Sequence, residues 1–97
     1  MATVSFARSA ENDLLEAWLT IAEDNITAAD KLLQTIEQEA CNLARQPKIG
    51  RARPELGDAV RSWPTSTPYI LYYLALPDGI TVLRALHHAR DIQRAWG

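Results

Sequence analysis

The spacing of the apolar residues changes at Pro47, and that change constrains the fold more than any other feature of the chain. Upstream of it, apolar residues recur every three or four positions, as one face of a helix requires. Leu14, Trp18, Ile21 and Ala22 form one such stripe, widened by Leu15 and Leu19. After a break at Asn25–Thr27, a second stripe runs through Ala29, Leu32, Leu33, Ile36, Ala40 and Leu43 until Pro47 ends it. Ser9 and Thr27 are the expected N-caps, and Glu11 and Asp13 suit the positive end of the first helix. Two amphipathic helices joined by a short break make an antiparallel hairpin whose apolar side has to be covered.

The cover comes from strands. Val4 and Phe6 alternate with polar neighbours, which predicts a short first strand. Beyond Pro47, Pro54, Gly57, Pro64 and Pro68 punctuate a loop-rich stretch that holds one short strand, Ala59–Trp63. Tyr69–Leu76 is almost wholly apolar and reads as a strand buried on both faces. Pro77-Asp78-Gly79 is a turn, Ile80–His87 is the returning strand, and Asp91–Trp96 is a last helical turn. Helices bunched together and followed by strands give an α+β fold. The expected architecture is an N-terminal strand, an antiparallel helical hairpin packed on a mostly antiparallel sheet of three to four strands, and a short C-terminal turn. Leu14, Trp18, Ile21, Leu33, Ile36, Leu43, Ile70, Tyr72, Val82 and Leu86 are its expected core.

At 97 residues the chain reads as one domain, residues 1–97. With 47% apolar and 23% charged residues it has the composition of a globular protein. No apolar run reaches the roughly 20 residues that span a bilayer, and the N-terminus lacks the pattern of a signal peptide. The lone Cys41 cannot make an internal disulfide, which fits the cytoplasm, and mid-helix it reads as a small packing residue. The net charge of −2 conceals an asymmetry. Residues 1–44 carry two basic residues against eight acidic, a net of −6, and residues 45–97 carry eight against four, a net of +4. Such a split suggests that one face meets something negative, whether nucleic acid or an acidic peptide.

Two segments concentrate chemistry. In Pro47-Lys48-Ile49-Gly50-Arg51-Ala52-Arg53-Pro54-Glu55-Leu56, Pro47 stops a helix and Gly50 is read as permitting an unusual backbone angle. Neither accounts for three cations within six residues. Arg51 and Arg53 suit carboxylate or phosphate recognition, and either can equally pair with Glu55 and serve the fold. In Arg84-Ala85-Leu86-His87-His88-Ala89-Arg90-Asp91, strict alternation puts Arg84 and His88 on one face and His87 on the other. Histidines so arranged cannot chelate one metal, and no Cys or acidic cluster completes a site, so neither metal nor cofactor is expected. Arg90-Asp91 is an ion pair or a cap for the last turn. Tyr69, Tyr72 and Tyr73 in a basic setting fit a stacking platform for single strands, but within so apolar a segment core packing is favoured. Trp63 and Trp96 are placed where either can be exposed.

Phe6, Ala10, Asp13-Leu14 and Ile21-Ala22, then Pro47, Gly50-Arg51, Arg53-Pro54-Glu55-Leu56, Val60-Arg61-Ser62, Tyr73 and Arg84…His87…Arg90-Asp91 together resemble the recurring pattern of the RelE/ParE superfamily. The likeness runs from about residue 4 to residue 92. The Gly-Arg-x-Arg-Pro-Glu-Leu run and the His-x-x-Arg-Asp ending resemble the ParE-type toxins of type II toxin–antitoxin systems. The resemblance implies a toxin that inhibits DNA gyrase and is neutralised in a complex with a cognate antitoxin. Leu74 stands where many relatives are basic, which weakens an enzymatic reading. His88 stands where a small residue is common, which changes the shape of the strand end.

An activity of another class remains open, the RelE-like cutting of ribosome-bound messenger RNA. That chemistry needs a base for the 2′-hydroxyl, cations at the phosphate and an acid for the leaving oxygen. Arg61, Arg84, Arg90, His87 or His88, and Glu55 are the residues available in this sequence to fill those roles. Against it, a pI of about 5.6 is far from the basic surface of a protein that works on ribosomal RNA, and direct nucleic-acid binding is disfavoured. For the binding reading, Arg51, Arg53, Arg61, Arg84, His87 and Arg90 are the candidate contacts to antitoxin or target.

Overall fold

A computed structural model describes residues 2–90 and 92–96. The elements follow in the order β1 (Thr3–Phe6), α1 (Arg8–Ala22), α2 (Ile26–Arg45), β2 (Arg51–Ala52), β3 (Val60–Pro64), β4 (Tyr69–Leu76), β5 (Gly79–His87) and α3 (Ile92–Ala95). The strands form one five-stranded sheet in the order β1-β5-β4-β3-β2. β1 pairs with β5 in parallel, and every other pairing is antiparallel. The α+β architecture is as expected, with one strand more than the sequence predicts. Arg51–Ala52 adds a two-residue edge by pairing with Ser62 and Arg61, and a strand that short carries no periodicity to be read.

The helix ends depart from the sequence reading. α1 begins one residue before Ser9, and Ala7 caps it with its backbone alone. Asn25, not Thr27, caps α2: its side chain accepts the Ala28 N–H at 3.0 Å, the usual way a short polar side chain satisfies one of the orphan donors of a first turn. From this start, the inward face of α2 is Ala29, Leu32, Ile36, Ala40, Leu43 and Ala44, all buried.

Register sets which sheet residues meet that face. Leu71 opposes Ala85, Tyr73 opposes Val82, and Ala75 opposes Ile80, while β1 adds Val4 beside Ile80 and Phe6 beside Val82. These side chains share one cluster with Ala10 and Ala17 of α1 and with the α2 stripe. Of the expected core, Ile36, Leu43, Tyr72, Val82 and Leu86 are buried. Leu14, Trp18, Ile21, Leu33 and Ile70 are only half-buried. Leu32, one position along from Leu33, is the residue that turns fully inward. Cys41 is exposed rather than packed. Trp63 is half-buried against the cluster.

On the opposite face of the sheet Tyr72 is covered from the C-terminus. Trp96 meets its ring edge-on with centroids 5.7 Å apart and donates its indole N–H to the Leu56 carbonyl at 3.1 Å. The last helical turn is therefore present over Ile92–Ala95; Asp91, where the sequence reading started it, and the Arg90–Asp91 pairing lie outside the described residues.

Candidate functional site

The first candidate segment is the loop that joins α2 to β2. It is fastened from behind by two side chains of the sheet. The Tyr73 hydroxyl accepts the Gly50 N–H at 3.0 Å and donates to the Pro47 carbonyl at 2.8 Å. The Arg61 guanidinium donates to the carbonyls of Gly50 at 2.7 Å and Lys48 at 3.2 Å. Gly50 is there for proximity and not for an unusual backbone angle. A Cβ at that position would collide with the Tyr73 hydroxyl and stand 2.8 Å from the Ser62 carbonyl oxygen. Burial pushes the Tyr73 hydroxyl pKa up, with the Gly50 N–H and the charge of Arg61 pulling it the other way.

Just beyond, Arg53 pairs with Glu55 at 2.8 Å and reaches the Ser62 hydroxyl at 3.4 Å. Its guanidinium carbon also lies 5.7 Å from the centre of the Tyr72 ring, a cation–π arrangement. The Arg53 hydrogen bond holds the Glu55 pKa below the ordinary carboxylate value, with a smaller contribution from the charge of Arg51. Arg51 itself is exposed.

The second segment is built around an acid on the inward side of α1. Asp13 falls between Ala10 and Ala17 on the buried stripe of that helix. It accepts from Arg84 Nε at 2.7 Å and from a second Arg84 nitrogen at 2.9 Å, a bidentate pair, and from the Ala85 N–H at 3.1 Å. β1 stops opposite Val82, so Asp13 supplies the acceptor that the next stretch of β5 would otherwise lack. The third nitrogen of Arg84 donates to the Ala95 carbonyl at 2.7 Å and ties down the C-terminal turn. The hydrogen bonds it donates to Asp13 raise the pKa of Arg84, with desolvation by burial opposing.

Strict alternation fails at this end of β5. A register shift lies between Tyr72 and Tyr73, which oppose Arg84 and Val82, so Leu83 is the extra residue of a bulge. The strand ends at His87, and the His87 and His88 rings stack with centroids 4.6 Å apart instead of pointing to opposite faces. Tyr69 meets His87 edge-on at 5.4 Å. The Nδ1 of His87 accepts the Ala89 N–H at 3.1 Å. Arg90 joins His87, Glu16, Thr20 and Tyr69 around a cleft of about 110 Å³.

The six candidate residues thus do not converge on one point. Register places Arg51, Ser62, Tyr72 and Arg84 in one cross-strand row, with Arg53 lying over Tyr72. Arg61 opposes Tyr73 and belongs to the other face. His87 and Arg90 stand at the end of β5 by Tyr69. Sequence reasoning missed Asp13 as the partner of Arg84 and Tyr73 as the organiser of the loop. For Asp13 the signal was present: an acid spaced three and four residues from Ala10 and Ala17, on a stripe destined for burial, calls for a cation.

The family model that matches the sequence is that of the ParE toxin of the type II toxin–antitoxin system, parDE, over residues 4–92. No curated protein matches the chain significantly. Among solved structures, the fold is similar to a chain from the chromosomal ParDE TA system from P. aeruginosa, with a TM-score of 0.73 at 21% identity, covering 90% of this chain and 96% of that one. A family match across nearly the whole sequence leads to one assignment: the chain belongs to the ParE toxin family of type II toxin–antitoxin systems.

Proposed function

We propose that this ParE-family toxin acts by binding and not by cutting, with DNA gyrase as its target and a cognate antitoxin as its neutralising partner. In this reading it works in the cytoplasm as a single domain, with no cofactor. The family supplies the target class. The observation on this chain that carries the non-enzymatic part is the commitment of the candidate catalytic groups to the fold. Arg61 is bound to two loop carbonyls and Arg84 to Asp13 and Ala95, so neither guanidinium is poised at a scissile phosphate. Glu55 is held by Arg53 with a depressed pKa, which makes it a weaker base and a poorer acid at neutral pH. His87 uses Nδ1 on a neighbouring backbone N–H.

The antitoxin reading follows from what the helical hairpin leaves uncovered. Leu15 and Leu19, one turn apart on α1, are 57% and 53% exposed, beside a groove lined by Phe6, Leu14, Trp18 and Leu33. An antitoxin segment laid along this surface buries those residues beside Glu11 and Glu37, and only a separate acidic part of the antitoxin reaches Arg51 at the far edge of the sheet. Arg53 and Arg61 contribute less, because their charges already have partners.

The experiment sets supercoiling by purified gyrase against cleavage of ribosome-bound message, for the wild type and for His87→Ala. Gyrase inhibition retained in both, with message intact, is the expected result. Loss of a general acid or base removes about 10²–10⁴-fold in rate. Message cut by the wild type, spared by His87→Ala, and gyrase unaffected by either protein would overturn the reading.

A further inference from the structure

The loop between α2 and β2 is fastened behind and apolar in front. Four hydrogen bonds with Tyr73 and Arg61 fix residues 47–50, yet beside the exposed Lys48 this loop presents Ile49 to solvent, 50% exposed. Across a groove of about 780 Å³ stands Leu76 at the end of β4, 38% exposed, with Pro47, Ala75 and Pro77 completing the apolar wall. Scattered exposed apolar residues are ordinary on protein surfaces. Here, by contrast, two face one groove, beside two prolines, on backbone that a buried phenol holds still. The ordering that an interface demands has been met during folding, which is the condition under which an apolar anchor contributes most to affinity.

Charge narrows the occupant. Lys48 lines the groove, with Arg45 and the exposed Arg51 close to it in sequence; the nearby carboxylates are Asp78, next to Pro77, and Glu39 in the adjoining cleft that shares Gln46 and Ile49. The other large apolar groove, on the helical hairpin, is edged by Glu11 and Glu37 and so suits a segment of opposite charge. The groove between Ile49 and Leu76 has no aromatic ring in its wall, which disfavours a nucleic-acid strand, whose bases bind by stacking.

We propose that the Ile49–Leu76 groove is the surface by which the toxin grips its protein target, taking an acidic segment that inserts a bulky apolar side chain between these two residues. This rests on the reading of the protein as a toxin that binds a protein target, and it names the place of contact. Arg61 and Tyr73 are then positioning residues, which hold Ile49 where the target meets it.

The test is the double variant Ile49→Ser/Leu76→Ser, with Ile26→Ser, an exposed apolar position at the start of α2, as a control of the same kind. Both target positions are exposed, and a thermal melt confirms that the fold is kept. Two readouts are taken together: growth arrest on induced expression, and inhibition of supercoiling by purified gyrase. The expected result is a loss of about tenfold or more in potency for the double variant, the scale of a central anchor removed from an interface, with Ile26→Ser unchanged. Lys48→Glu should lower potency more at low salt than at high. A double variant as potent as the wild type in both readouts overturns the proposal. If the wild type arrests growth while gyrase is unaffected, gyrase is not the target, and growth arrest alone judges the groove: lost in the double variant it stands, retained it falls. A single-stranded oligonucleotide that shifts the Lys48 and Ile49 amide resonances, with the double variant still fully active, also overturns it.

Discussion

Replacing Asp13 by alanine tests how α1 is locked to the sheet, and the magnitude can be worked from the contacts. The carboxylate accepts three hydrogen bonds, two from Arg84 and one from the Ala85 N–H, and its side chain is only 8% exposed while that of Arg84 is 20% exposed. Removing one member of a buried ion pair costs about 3–5 kcal/mol, chiefly because the other charge is left without its partner. Arg84 keeps its bond to the Ala95 carbonyl and some contact with water, which places its share at the lower end. The Ala85 N–H loses its bond to the carboxylate and adds about 1 kcal/mol. The expected loss for Asp13→Ala is therefore about 3–4 kcal/mol, a large part of the roughly 5–15 kcal/mol by which such a domain is stable. Urea unfolding followed by circular dichroism, with an unchanged m-value, measures it directly. The double variant Asp13→Ala/Arg84→Met should recover at least about 1 kcal/mol, since it removes the stranded charge. A single variant within about 0.5 kcal/mol of the wild type, or a double variant that is simply additive, would refute the reasoning.

Tyr73→Phe leaves the buried Gly50 N–H and the Pro47 carbonyl without their partner, which should cost about 1–3 kcal/mol and speed hydrogen exchange at Gly50. Burial raises the Tyr73 pKa above its ordinary 10.0, so its contribution is complete below pH 10 and is lost as pH rises through the raised folded value. Tyr73→Phe should accordingly lose less stability than the wild type in that alkaline range, though some loss persists because Tyr69 is raised by burial as well. Leu32→Ala should cost about 2–5 kcal/mol and Leu33→Ala clearly less, since only Leu32 is fully covered; equal midpoints in urea would contradict that order. Gly50→Ala should be at least as damaging as Tyr73→Phe, because its Cβ displaces the Tyr73 hydroxyl and crowds backbone at Ser62; a wild-type melting curve would show that the loop adapts.

Periodicity carried most of the fold. Both helices and the first strand follow from spacing, because each buries one continuous face, and the long hairpin follows from an apolar run closed by the Pro77-Asp78-Gly79 turn. What spacing cannot carry is contact between distant elements. Arg51–Ala52 is a strand only because Arg61 and Ser62 lie alongside it. Leu32 and Leu33 are equally apolar, and which one turns inward is decided by how α2 packs on the sheet. The bulge at Leu83 broke the alternation on which the placement of His87 and His88 rested. The candidate site was legible as residue types but not as roles. Nothing in the run from Pro47 to Leu56 announces that a tyrosine 23 positions beyond Gly50 holds its loop, or that Arg84 is committed to Asp13 71 positions away.

The parallel pairing of β1 with β5 has a consequence for the order in which the molecule can be made. Thr3 to Phe6 find their partners at Gly79 to Val82, 76 positions later. At a synthesis rate of about 5–20 residues per second, the first strand waits about 4–15 s on the ribosome for the strand that receives it. Through that interval the helical hairpin exists before its sheet, with Leu32, Ile36, Ala40 and Leu43 exposed to whatever is nearby. The protein therefore completes its structure only after nearly all of its chain has emerged, and its apolar face is most available to other molecules while it is still being born.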